Sequence, residues 1–202
     1  MPLQAYYRDP NAGDLSLPLD SGRPVSEEKL RALGLKWWSV EGSPDERLKK
    51  FKELSKSLGF EDGDYEHVYD LSKQIGSPYD AAMTPQDLLE AWAQESLFPH
   101  PICVLYLSGT VYIDLKEPGT NSFIRLVIPP KYAISYPAGA LWQASSRKDT
   151  PLDFAARIIF KATDPASVHL IGDELDKHPA RMEYAQSLLS GAVNLAQIKS
   201  FK

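Results

Sequence analysis

With 202 residues, 43% of them hydrophobic and 24% charged, the chain suits one domain that can bury a core. A net charge of −5 with no basic block argues against a nucleic-acid partner, and no apolar run approaches the length of a membrane span. The single cysteine, Cys103, leaves no internal disulfide to form, and the opening stretch lacks the basic-then-apolar pattern of a secretory signal, so a cytoplasmic protein is expected.

Residues 1–25 are polar and turn-rich. Ser26 to Gly34 reads as a short helix, capped by Ser26 and ended by Gly34. Leu35 to Val40, an apolar run between two glycines, reads as a strand. Pro44 to Leu58 has apolar residues at helical spacing, a Ser43 cap, proline at its first turn and Gly59 at its end. Tyr65 to Ile75 is expected to be another short helix, and Thr84 to Gln94 a third with a Thr cap and Pro at the first position. The middle of the chain changes character. Runs at 102–107, 110–115, 123–128, 132–136 and 154–160 are short, β-branched or aromatic, and separated by turn residues. Five such runs within about sixty residues predict an antiparallel sandwich or barrel. Ser108-Gly109 between the first two is a hairpin signal. After Asp164 the chain turns polar, and Glu183 to Gln197 reads as a helix on the barrel or a loose tail. No internal repeat or low-complexity segment is visible.

Two sets of residues resemble a known family. Ala5, Tyr6 and Tyr7 form an aromatic strand pattern. Gly22, Arg23, Val25 and Ser26 then form a G-R-x-V-S step into a helix carrying Leu30, Leu33 and Gly34, followed by Trp37. Farther on, the segment from Ser96 to Gly109, the strand TVYIDL and the triplet Pro137-Ala138-Gly139 match the two motifs of a cupin barrel. Together these resemble the acireductone dioxygenases over about residues 5–40 and 90–162. The resemblance implies a mainly β fold, a cupin-type antiparallel β-barrel (jelly roll). It also implies an N-terminal layer of helix and strand (1–83), a barrel core (84–162) and a C-terminal helical extension (163–202), all within one domain spanning 1–202.

In the resembled family, His-x-His, a Glu four residues on, and a His three residues after the P-x-G glycine hold iron or nickel. Imidazole nitrogens and one carboxylate suit those metals and leave positions open for an enediolate. The matching positions here are Ser96, Phe98, Ile102 and Trp142, so the resemblance comes without the ligands. Val104 stands where the family carries a pocket arginine, and Lys131 where it carries a glycine. Arg157 matches a family arginine on a late barrel strand. His100, between Pro99 and Pro101, is the one histidine near the motifs.

Alternation along the strands puts Ile102, Val104 and Tyr106 on one face, with Trp142, Ala140 and Ala144 on the matching face of a later segment. The expected chamber is lined by Phe98, Ile102, Val104, Tyr106 and Trp142, with Ser96 at its edge and Arg157 as its one charge. Those apolar residues either fill the space or line a pocket for a small molecule. Arg157 is either in an ion pair with Asp114 or Asp153, or an anchor for a carboxylate or enolate. Tyr106 is either a core tyrosine or, with His100, a group that moves a proton. Cys103 is expected to point the other way, and Trp37 and Trp38 to staple the N-terminal layer to the barrel.

Three functions follow as expectations. The first is a metal-independent enzyme acting on a small carbonyl or enol-type metabolite by cyclisation, isomerisation, dehydration or decarboxylation. Its candidate catalytic residues are Arg157, Tyr106 and His100, and it needs no cofactor. The second is a non-catalytic relative binding a small molecule or a protein partner. The third is an acireductone dioxygenase with an unrecognised iron or nickel site. The expected partner is a small-molecule ligand or substrate, with a protein partner as the alternative in the second. The oligomeric state does not follow from the sequence.

Overall fold

The computed structural model describes residues 3–11, 13–73, 83–150, 152–162, 170–172 and 174–190. Twelve strands among them form two antiparallel sheets. The first sheet begins with β12 (Leu170–Ile171), β5 (Ser96–Leu97), β10 (Leu141–Ser146) and β7 (Val111–Lys116). It continues with β8 (Phe123–Ile128), β1 (Gln4–Arg8) and β2 (Asp20–Pro24). The second sheet orders β3 (Lys36–Ser39), β9 (Tyr132–Tyr136), β6 (Ile102–Ser108), β11 (Ala155–Phe160) and β4 (Tyr65–Asp70). The architecture is mainly β and antiparallel, as expected. Strands from residues 1–83 are hydrogen-bonded into both sheets, and β12 from the C-terminal segment extends the first.

The main core lies between the sheets, and alternation decides which side chains enter it. Val111, Ile113 and Leu115 of β7 face in with Ile124, Leu126 and Ile128 of β8. The opposite face of the same two strands carries Asp114 and Arg125. Both are almost wholly buried, under the segment that precedes β2. The Arg125 guanidinium donates to both Asp114 oxygens at 2.7 and 2.8 Å, and also to the carbonyls of Leu17 and Pro18. Arg8 adds a second donor to Asp114 at 2.7 Å. Charges are buried here because each has a geometrically matched partner.

Helix α1 (Glu27–Ala32) is capped by Ser26, and α2 (Pro44–Ser57) by a reciprocal box between Ser43 and Glu46. Phe51 of α2 is fully buried against Cys103, Leu105, Ala133 and Ile159, on the outer face of the second sheet. This fixes β6 and β11 from behind. Helix α3 (Pro85–Trp92) carries a second capping box, Thr84 with Asp87, and buries Leu88 and Trp92. Helix α4 (Pro179–Leu189) packs on the turn at Gly139, where an added Cβ would lie 2.1 Å from the Ala180 carbonyl. The Tyr184 hydroxyl donates to the Leu33 carbonyl at 2.8 Å, tying α4 to the end of α1.

Three expectations need correction. Tyr65 to Ile75 is not a helix: it is strand β4 followed by a 3-10 turn at Leu71–Lys73, and Ile75 lies outside the described residues. Tyr65 stacks on His67 and His67 meets Tyr69 edge-on along one face of the strand, a period of two that overrides the helical reading. Ser108-Gly109 is not a hairpin, because β6 and β7 belong to different sheets. Gly109 is needed for another reason: it has φ of +69°, and a Cβ there would sit 1.6 Å from the Asp153 carbonyl oxygen. The C-terminal helix begins earlier than expected, at Pro179. The apolar Val193, Leu195 and Ile198 lie outside the described residues.

Candidate functional site

A chamber of about 50 Å³ opens between the two sheets. Ile102, Val104 and Tyr106 of β6 form one wall, and Val111, Ile113 and Leu115 of β7 the wall opposite. Trp142 and Ala144 of β10, Tyr136 of β9, and Ile158 and Phe160 of β11 line it as well. Phe98, Ala140, Phe154, Tyr69 and Trp92 complete the lining, in which no side chain is charged. The rings are ordered against one another. Phe98 stacks on Trp142 with centroids 4.6 Å apart and planes 10° apart. Trp92 meets Tyr69 and Phe154 edge-on, at 5.1 and 5.5 Å. Such contacts give aromatic walls a fixed shape.

The hydroxyls of Tyr106 and Tyr136 meet at 2.8 Å. Burial drives both phenols well above their ordinary value of 10.0. Both therefore stay neutral across the physiological range and act as hydrogen-bond donors, not as bases. Cys103 sits on the other face of β6, where burial pushes its thiol up to about 12; it is an inert core residue, as alternation predicted.

The sequence-derived site residues divide into two groups. Phe98, Ile102, Val104, Tyr106 and Trp142 line the chamber, and so do Ala140 and Ala144. Ser96, His100 and Arg157 do not. Ser96 is fully buried in β5, directly across the ladder from Trp142, and its hydroxyl donates to the Gln94 carbonyl at 3.0 Å. His100 is half-buried in the loop between β5 and β6, outside the lining. Arg157 is a correction. Ile158 and Phe160 face in, so alternation turns Arg157 to the outer face of β11. There it pairs with Glu66 at 3.0 Å, not with Asp114 or Asp153, and 24% of its side chain remains exposed. Asp114 is taken by Arg125 and Arg8. The chamber therefore lacks the charge expected of it.

Sequence reasoning missed Tyr136, Tyr69 and the β7 wall. Tyr132, Ile134 and Tyr136 alternate visibly, and extending that alternation one step finds Tyr136. Tyr69 was hidden by the helical reading of its segment.

No family model matches the chain. Among curated proteins it is 25% identical to acireductone dioxygenase 1 of Coprinopsis cinerea, over 94% of this chain and 100% of that one. It is 26% identical to acireductone dioxygenase 2 of the same fungus, over 90% of this chain and 84% of that one. These alignments take in nine-tenths or more of the chain. The chain is thus similar to acireductone dioxygenases. Acireductone dioxygenase 3 of Physcomitrium patens is 25% identical over 93% of the chain and 86% of its own length. Among solved structures, the acireductone dioxygenase of Bacillus anthracis, with a cadmium ion in its active center, superposes with a TM-score of 0.53. That match covers 80% of this chain and 94% of the other at 13% identity, and it supports the cupin fold alone.

The similarity to acireductone dioxygenases raises the question of a metal. The four positions that the family resemblance assigns to ligands do converge. Ser96 pairs with Trp142 across the ladder, Phe98 stacks on Trp142, and Ile102 stands beside Phe160. They bring one hydroxyl, already donating to a carbonyl, and three apolar or aromatic side chains. Iron and nickel take imidazole and carboxylate, and the lining offers neither. Among the described residues no cluster of three His, Cys, Asp or Glu side chains is placed to hold a metal. The residues present do not fit the family's metal. No helix among the described residues is long and apolar enough to cross a membrane.

Proposed function

We propose that this acireductone-dioxygenase-like cupin works without a metal, as an enzyme on a small carbonyl or enol-type metabolite held in the chamber. The observation that carries the reading is the convergence of Ser96, Phe98, Ile102 and Trp142 where a metal site would stand. The chamber has no base poised near neutrality, which favours reactions whose bonds rearrange within the substrate, such as cyclisation, isomerisation, dehydration or decarboxylation. The protein's part is then shape from the aromatic walls and a hydrogen bond from the Tyr106–Tyr136 pair to an oxygen that gains negative charge. Arg157 and His100 have no place in this scheme.

A second reading, a non-catalytic small-molecule binder, is favoured by the modest cavity of about 50 Å³ and its uncharged lining. Turnover separates the two. Small enolisable carbonyl compounds incubated with the protein give a new product by mass spectrometry in the first case and are recovered unchanged in the second. The primary test is metal content of the untagged, full-length protein by inductively coupled plasma mass spectrometry. The expected result is a content far below one per chain. Iron or nickel near one per chain would overturn the proposal and restore the dioxygenase reading that the relatives' names carry.

A further inference from the structure

A tyrosine hydroxyl brings one proton to donate and two lone pairs to accept. The contact between Tyr106 and Tyr136 uses one of the pair's two protons. The second proton has no acceptor among the described residues. Both side chains are buried, at 3% and 4% exposure, and both line the chamber. A buried donor without an acceptor is costly, so the pair suits an oxygen that the described residues do not supply. The surroundings say what kind. Ile102, Val104, Ile113 and Leu115 offer hydrocarbon, and no cation faces the space.

We infer that the chamber takes a small neutral carbonyl compound, its oxygen accepting the pair's spare proton and its carbon frame lying against the aliphatic walls. This rests on the metal-independent reading of the same site and narrows it. Carboxylates and enediolates are excluded, because an anion entering these walls would lose its hydration and gain no counter-charge. Burial keeps both phenols protonated, so the donor persists throughout the neutral range. Size is set by the cavity of about 50 Å³.

The test titrates the full chain with three probes of matched size: butanone, propionate and 2-methylbut-1-ene. The readout is the NMR shifts of the chamber methyls of Ile102, Val104, Ile113 and Leu115. Butanone is expected to saturate the shifts, 2-methylbut-1-ene to bind about tenfold more weakly, and propionate to leave them unchanged. The double variant Tyr106→Phe/Tyr136→Phe keeps both rings and removes both protons, so it should prefer the alkene to the ketone. Either single Tyr→Phe variant retains a proton for the ligand and should keep the preference for butanone. If the double variant does not fold, the three-probe comparison on the parent protein still decides. Propionate binding as well as butanone, ketone and alkene binding equally, or no probe binding would each overturn the inference. The last result would assign the spare proton to a resident water. Iron or nickel near one per chain would instead overturn the metal-independent reading, whatever the probes do.

Discussion

Two arginines show how little residue type says about position. Arg125 has no exposed surface and meets Asp114 through two parallel hydrogen bonds. Arg157 sits partly in solvent with Glu66, whose side chain is 34% exposed. Breaking a buried pair strands the remaining charge and costs about 3–5 kcal/mol, whereas an exposed pair is worth about 0–1 kcal/mol. Urea unfolding of Arg125→Ala should therefore show a loss at the upper end of single-substitution effects, and Arg157→Ala almost none. Family resemblance had put Arg157 in the chamber. Its own strand gave no contrary signal, because AARIIF is apolar at nearly every other position and alternation needs a polar face to be read. The pocket side of β6 was legible from the run itself: Ile102, Val104 and Tyr106 share a face whichever way the strand turns. Trp142 and its neighbours Ala140 and Ala144 came out correctly for the same reason.

Helices and strands were not equally readable. The helices announce themselves through Ser26, Ser43 and Thr84, whose side chains accept from backbone N–H groups three residues on. These are local contacts, and local sequence carries them. Strands β5, β10 and β12 have no such marks and exist because they pair with one another and with β7. The seat of α4 is also non-local. Gly139 has φ of +78° and touches the Ala180 carbonyl, so Gly139→Ala meets both an unfavourable backbone and a clash. The expected cost is about 1–3 kcal/mol, concentrated on the helix. Hydrogen exchange should accelerate across Pro179–Leu189 while the amides of β6 and β11 stay protected. Equal acceleration in both would mean that α4 and the barrel open as one unit.

The alkaline behaviour of the folded chain follows from its buried phenols. Ten tyrosines are present in the sequence. Burial raises Tyr6 to about 12 and lifts Tyr106, Tyr136 and Tyr184 strongly too, with smaller rises at Tyr65 and Tyr132. In the unfolded chain these groups titrate at about 10, so above that pH the unfolded state binds fewer protons and stability falls. Their contribution is complete below about pH 10 and is lost as pH climbs through the raised values. At about pH 11, near-ultraviolet phenolate absorbance should report markedly fewer ionised tyrosines in the native protein than in urea, and the urea midpoint should fall steeply there. Coincident native and unfolded titration curves would contradict the burial of the Tyr106–Tyr136 pair.

Capped helices, a β-rich middle, one serine and three apolar or aromatic residues at the four positions that the resemblance assigns to ligands, and the inward face of β6 were all decided along the chain, because each depends on residues within a few positions of one another. Tertiary structure alone decided three other features. It put β6 and β7 in different sheets. It turned Arg157 outward to Glu66. It brought Tyr136 to Tyr106 across neighbouring strands. Each depends on which strands pair and in what register, and pairing is set by burial summed over both sheets, not by any short stretch of sequence.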